Sequence, residues 1–161
     1  NGVLRYSRGG NRNGFSLTGM GYWADWDSTD QVPERAINEG LIPRFGLIDE
    51  SDGGKASRQS LAAEYQRSNG PSSLRATGFL LHNSLNLFSN FTYFLDDPDN
   101  GDQFEQAERR VAAGGRVTHR RLGHFFERHT ESAVGFQLRP NWLDQVGHYP
   151  TAGRQRASPT C

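Results

Sequence analysis

Cysteine, lysine and methionine are almost missing from this chain, and so is any long apolar run. The one cysteine, Cys161, is the last of 161 residues. No disulfide framework and no cysteine-based metal site is therefore expected. Lys55 is the only lysine among 18 basic residues. Arginine stays charged and grips carboxylates and phosphates through two parallel bonds, so an arginine-rich set suits paired or anion-facing surfaces; a GC-rich coding bias would leave the same mark. Net charge is absent too, with 18 basic against 18 acidic residues. A nucleic-acid binder shows a basic excess, so nucleic acid is not an expected partner. No stretch approaches the roughly 18 apolar residues of a membrane-spanning helix. No signal peptide is visible, and the opening "NGVLRYSRGG" reads as the middle of a strand. Hydrophobic residues make up only 34% of the chain, with 19 glycines, a thin supply for the core of a soluble β domain. The length argues for one domain.

What is present is alternation, the mark of strands with two unlike faces. Phe15, Leu17, Gly19, Gly21 and Trp23 fall on one face, Ser16, Thr18, Met20 and Tyr22 on the other. Leu61, Ala63 and Tyr65 oppose Arg58, Ser60, Glu64 and Gln66. Val111, Ala113, Gly115 and Val117 oppose Arg110, Gly114, Arg116 and Thr118. Val134, Phe136 and Leu138 oppose Glu131, Gly135, Gln137 and Arg139. The pattern predicts antiparallel strands near 14–24, 55–67, 72–94, 103–120 and 125–139, in sequence order as a meander, with a partial strand before Gly9. In "SLRATGFLLHNSLNLFSNFTYFL" the apolar parity changes near Leu80 and Leu81. A one-residue bulge between Leu81 and Ser84 would do this, and so would a hairpin turn at "HNS".

Turn lengths are unequal. "GGNRNG" (9–14), "SNGP" (68–71) and "RLGH" (121–124) are tight and contain glycine, as hairpin links require. The connections at 25–54, at 95–102 and from Pro140 onward are long and polar. Short turns at one end of the strands and long loops at the other are the layout of an outer-membrane barrel. Such a wall needs strands of about 9–11 residues, one face toward lipid and one toward a polar lumen, which accounts for the low hydrophobic fraction. Aromatics gather near segment ends, at Tyr22, Trp23, Trp26, Tyr65, Phe91, Tyr93, Phe94, Phe125 and Phe126, as interfacial girdles do. The fold expected is all-β, part of a transmembrane β-barrel. Parity assigns Leu17, Leu61, Val111, Val117, Val134 and Leu138 to lipid.

The run from "GFSLTGMGYWADWDSTDQVPERAINEGLIPRFGLIDESDGGKASRQSLAAEYQRS" through "ESAVGFQLR" resembles the barrel portion of a TonB-dependent outer-membrane receptor, over about residues 5–139. The resemblance implies about six of an expected 22 strands and an outer-membrane location in a Gram-negative bacterium. It implies lipid, TonB and a plug domain as partners of the parent protein, and energy-coupled uptake of a scarce small molecule such as a siderophore. The chain lacks the family's plug, its TonB box and its C-terminal aromatic strand, so it reads as a fragment, inactive by itself. Residues 1–139 form the barrel part; 140–161 are a loop start and an irregular tail, "PTAGRQRASPTC". A soluble β-rich ligand- or carbohydrate-binding module is the alternative, and would need a richer apolar core.

Arg58, Glu64, Arg75, Arg110, Arg116, Glu131 and Arg139 are the candidate lumen-facing residues. There the arginines would pair with Glu64 and Glu131, meet a plug or guide an anionic ligand. Asp96, Asp97, Asp99 and Asp102 surround a glycine turn and form a weak calcium candidate. With Gly101 as the sixth position of an EF-hand loop, Pro98 would be third and Ala107 twelfth, which fails that template; a solvated acidic loop is the simpler reading. His119, His124 and His129 should be scattered by strand geometry. "VPERAINEG" (32–40) could form a short helix with Pro33 in its first turn. No nucleophile elbow or phosphate loop appears, so neither an enzymatic activity nor a cofactor is expected.

Overall fold

The computed structural model describes residues 1–157 apart from Asn11, Thr29 and Asp30. Readings that fall on those three, on Cys161 or on the end of the tail lie outside the described residues. The chain is all-β, as the alternation implies. Its strands are β1 (Gly2–Gly9), β2 (Asn13–Asp27), β3 (Gly53–Asn69), β4 (Ser72–Ser89), β5 (Phe104–Phe125), β6 (Arg128–Leu138), β7 (Asn141–Ala152) and β8 (Gln155–Arg156). Among the described residues a single short helix, α1 (Glu34–Asn38), follows Pro33 at its N-cap. All eight strands belong to one sheet, ordered β1-β2-β3-β4-β5-β7-β8, with β6 also paired to β5. This is a meander in sequence order until β5. The lower half of β5 pairs with β6, from Gly115↔Leu138 to Phe125↔Arg128. Beyond Pro140, β7 takes over the same edge. Proline has no N–H for a ladder, so it splits what would be one long strand, while its carbonyl still accepts from Ala113 N at 3.1 Å.

Three expectations are corrected. The turn after β5 is not at "RLGH": residues 121–124 are still strand, and the tip is Phe126–Glu127, both left-handed at φ 46° and 59°. Two-residue tips with that handedness match strand twist, so the twist selected them over the nearby Gly123. No side-chain pairing registers a bulge at Leu81–Ser84. Even-numbered β4 residues meet odd-numbered β5 residues both before it (Ser72 with His119) and after it (Asn86 with Glu105). The parity change in the sequence instead moves Leu85 and Leu87 to the opposite face from Leu74 and Leu80, and β4 stops at Ser89 rather than 94. Finally, the segment read as loop and irregular tail forms β7 and the β7–β8 hairpin, whose tip is Gly153–Arg154 at φ 57° and 65°.

The chain divides into two compact units. The first holds residues 1–22, 58–82 and 110–142, with the β1–β2, β3–β4 and β5–β6 turns. The second holds 23–57, 83–109 and 143–161, with the long connections. In the first unit the register Tyr6↔Leu17 and Leu4↔Gly19 puts these side chains on one face, and Arg5↔Thr18 and Ser7↔Ser16 on the other. The apolar face continues through a shallow groove between Phe15, Leu17, Ala63, Tyr65, Ala76 and Gly78. It continues onto β6 through Val117↔Phe136 and His119↔Val134. Among the described residues nothing covers it: Leu4 is 79% exposed, Val134 75% and Phe136 69%. Among the described residues the buried apolar side chains are only Phe88, Ala107 and Ala112.

The tip of the β5–β6 hairpin gives a direct test. A non-glycine residue in the left-handed region costs about 1 kcal/mol. Replacing Phe126–Glu127 with Asn-Gly should therefore stabilise the hairpin by about 1–2 kcal/mol. A urea titration of the two chains reads this as a higher midpoint at equal slope. A lower midpoint would mean that the tip is not left-handed.

Candidate functional site

The polar face of the first unit gathers most of the candidate residues. Alternation from β1 carries Arg5 to this face. Its Nη2 donates to Ser16 Oγ at 3.1 Å and lies 3.8 Å from Glu64 on β3. A groove beside them is lined by Ser7, Gln66, Arg75 and Thr77. A second groove runs across β4 and β5, between Ser73, Arg75, Thr77, Arg116, Thr118 and Arg120. Arg120 lies 3.4 Å from Glu131 of β6. Arg139 sits over the ring of Phe79, 5.9 Å from its centre, near enough for a cation–π contact. That ring in turn covers Gly114, where an added Cβ would meet it at 2.5 Å; the close approach requires glycine. By strand parity Arg58 and Arg110 belong to the same face. The face is not wholly polar, since Val3, Phe79 and Leu122 share it.

The acids of this face were legible in the sequence, but their partners were not. Glu64 and Glu131 pair with Arg5 and Arg120, two arginines outside the expected set. Strand parity alone could have nominated both. The histidines are only partly scattered. His124 and His129 face each other across the β5–β6 ladder with ring centres 4.3 Å apart, while His119 lies on the opposite face, bonded to Ser72 Oγ at 2.8 Å. Among the described residues no group of three or more His, Cys, Asp or Glu is placed to share a metal ion. In the acidic loop, Asp102 accepts from the backbone N–H groups of Leu95, Asp96 and Asp97, and Asp97 from those of Asp99 and Asn100. The main-chain and side-chain bonds from Asn100 hold the Asp97 carboxyl below its ordinary pKa. These carboxylates brace their own turn; Asp96 and Asp99 stand exposed at its rim.

The second unit is built around a polar knot that sequence reasoning missed. Gln103, only 3% exposed, donates from Nε2 to Ser51 Oγ at 2.7 Å and to Asp52 Oδ1 at 3.2 Å. Its Oε1 accepts from Thr151 Oγ1 at 3.1 Å and from Arg154 N at 2.9 Å. The Arg154 guanidinium reaches Ser51 O at 2.7 Å and Asp27 Oδ1 at 2.8 Å, and its head lies over Phe88. Gly53 makes room for it: φ is 142°, and a Cβ there would meet Arg154 Nη2 at 2.8 Å as well as the Trp26 carbonyl. Arg156, on β8, bonds Glu105 at 2.6 Å. The knot thus ties the loop before β3, the start of β5 and the β7–β8 tip together. The only sequence signal for its arginines was the Gly-Arg pair at 153–154, a composition that suits a two-residue hairpin tip.

Asp49 completes the knot. Burial pushes its carboxyl pKa up, but bonds from Ser51 and Asn90 and the charge of Arg154 outweigh this and leave it lowered. A carboxylate with a lowered folded pKa contributes stability above its ordinary value of 3.8, and that contribution is lost as pH falls through the folded value. The protection factor of the Ser51 amide should therefore hold through neutral pH and fall only on strong acidification. Unchanged protection there at strongly acid pH would count against this role. Removing Gln103 leaves several buried groups unpaired, so Gln103→Ala should cost about 2–3 kcal/mol. Loss of exchange protection at Thr151 and Arg154 is the expected reading.

Comparison with family models, curated proteins and solved structures finds no match to this chain.

Proposed function

We propose that the chain is part of the wall of an outer-membrane β-barrel, in a TonB-dependent receptor that takes up a scarce small molecule. The observation that carries this reading is the uncovered apolar face of the first unit. Covering one Val, Leu or Phe side chain is worth roughly 1.5–3 kcal/mol. A face bearing Leu4, Leu17, Leu61, Val117, Val134, Phe136 and Leu138 forgoes on the order of 10 kcal/mol in water, as much as the whole stability of an ordinary domain. A soluble sandwich would lay a second sheet over that face, yet all eight strands here share one sheet. Lipid covers such a face without a second sheet. The 11 residues of β6 fit the length a tilted strand needs to cross a bilayer. The outer edges of β1 and β6 stand unpaired in the sheet order, and in this reading further barrel strands of a parent protein pair with them. Arginines and hydroxyls on the other face then line the lumen.

The two faces predict opposite responses to the same substitution. Val134 pairs with His119 and Gln137 with Arg116, on opposite faces of one strand. In the parent protein folded into lipid vesicles, Val134→Arg should cost about 2–4 kcal/mol near the midplane, and Gln137→Arg little. Urea titration compares them. Equal tolerance, or greater damage at Gln137, would remove the lipid-facing reading, as would recovery of the parent in the soluble periplasm without detergent.

A further inference from the structure

Arg75 and Arg116 come together on the polar face. They lie on neighbouring strands, face the same way and line the same groove. Among the described residues neither makes an ion pair or a side-chain hydrogen bond. Glu64 pairs with Arg5 and Glu131 with Arg120; Glu64 also borders the neighbouring groove that Arg75 shares, but no carboxylate lines this one. Adjacent strands are only about 4.8 Å apart, and like charges on neighbouring strands of one face repel. An anion between the two guanidiniums would relieve that repulsion. Hydroxyls of Ser73, Thr77 and Thr118 border the same space and add neutral donors.

We propose that this groove binds a phosphate monoester group. A carboxylate offers two oxygens and one charge, which a single guanidinium fork satisfies. A phosphate monoester carries close to two negative charges near neutral pH and three free acceptor oxygens. It matches two unpaired arginines plus hydroxyl donors, where a carboxylate would leave one arginine unneutralised. The inference rests on the polar face alone and stands whether or not the apolar face meets lipid.

The test uses the 161-residue chain in dodecyl maltoside micelles, with β-sheet content checked by circular dichroism. Inorganic phosphate is the probe, and binding is read by equilibrium dialysis. Saturable binding is expected, strengthening from about pH 6 to about pH 8 as inorganic phosphate, whose second proton leaves about one unit above that of a monoester, gains its second charge. Arg75→Gln and Arg116→Gln should each weaken it about tenfold or more, and Arg75→Lys less. Arg58→Gln, on the same face but outside the groove, should leave it unchanged. Phosphate should also slow phenylglyoxal modification of Arg75 and Arg116 in the same sample, which reads the contact without any substitution. Absence of saturable binding together with no protection would overturn the proposal. So would equal weakening by Arg58→Gln, which would reduce the effect to diffuse charge. Displacement of phosphate by citrate at lower concentration than phosphate itself needs would make the groove a carboxylate site and sink it too.

Discussion

A sheet one layer deep must find a cover for its apolar face, and most of what is unusual in this chain follows from that constraint. The hydrophobic fraction is low because only one face of each strand needs apolar side chains. Among the described residues buried apolar side chains are nearly absent, and all eight strands share one sheet. Alanine and glycine fill the positions between Leu17, Leu61 and Val117, which keeps the face smooth rather than interlocking. A core that interdigitates with another sheet needs bulk and shape; a face that meets a fluid cover does not.

Where the strands leave the tight turns behind, a different interaction holds the backbone. The second unit has Phe88 and Ala107 as its buried apolar side chains and relies on a satisfied polar network. Gln103 is its hub because an amide both donates and accepts, so one side chain can join Ser51 and Asp52 to Thr151 and the Arg154 backbone. Arg154 supplies the charge. Its left-handed backbone costs about 1 kcal/mol, and several charge-assisted bonds offset that. Among the described residues no buried side-chain nitrogen or oxygen lacks a partner, the condition under which a polar core stabilises rather than strains. The same economy appears in the acidic loop, where Asp97 and Asp102 spend their oxygens on nearby backbone N–H groups.

Much of this was readable without coordinates. Alternation located β1 to β6 to within a few residues and assigned Leu17, Val134, Arg116 and Gln137 to the correct sides of the sheet relative to one another, because side chains along a strand alternate with a period of two whatever the strand pairs with. Glu64, Arg75, Arg116 and Glu131 were nominated on the same ground. Pairing was not readable. Arg5 reaches Glu64 and Arg120 reaches Glu131 only because register brings them together, and register depends on neighbouring strands that local sequence does not contain. At Leu81–Ser84 the limit is of the same kind: a parity change in apolar residues looks alike in sequence whether the backbone bulges or, as here, runs on while the apolar side chains change faces.

By itself, then, the amino-acid order determined which residues can be strand, which faces are apolar, and that nearly all positive charge is arginine. These are properties of single strands, set by side-chain period and chemistry. Only the tertiary structure decided where β5 turns, that Pro140 divides β6 from β7 on one edge, and that Gly153–Arg154 forms a tip that delivers a guanidinium to Gln103 and Asp27. Each of these depends on contacts between residues tens of positions apart, which no local pattern encodes. The meeting of Arg75 and Arg116 in one groove is of this second kind, because it depends on how β4 and β5 pair.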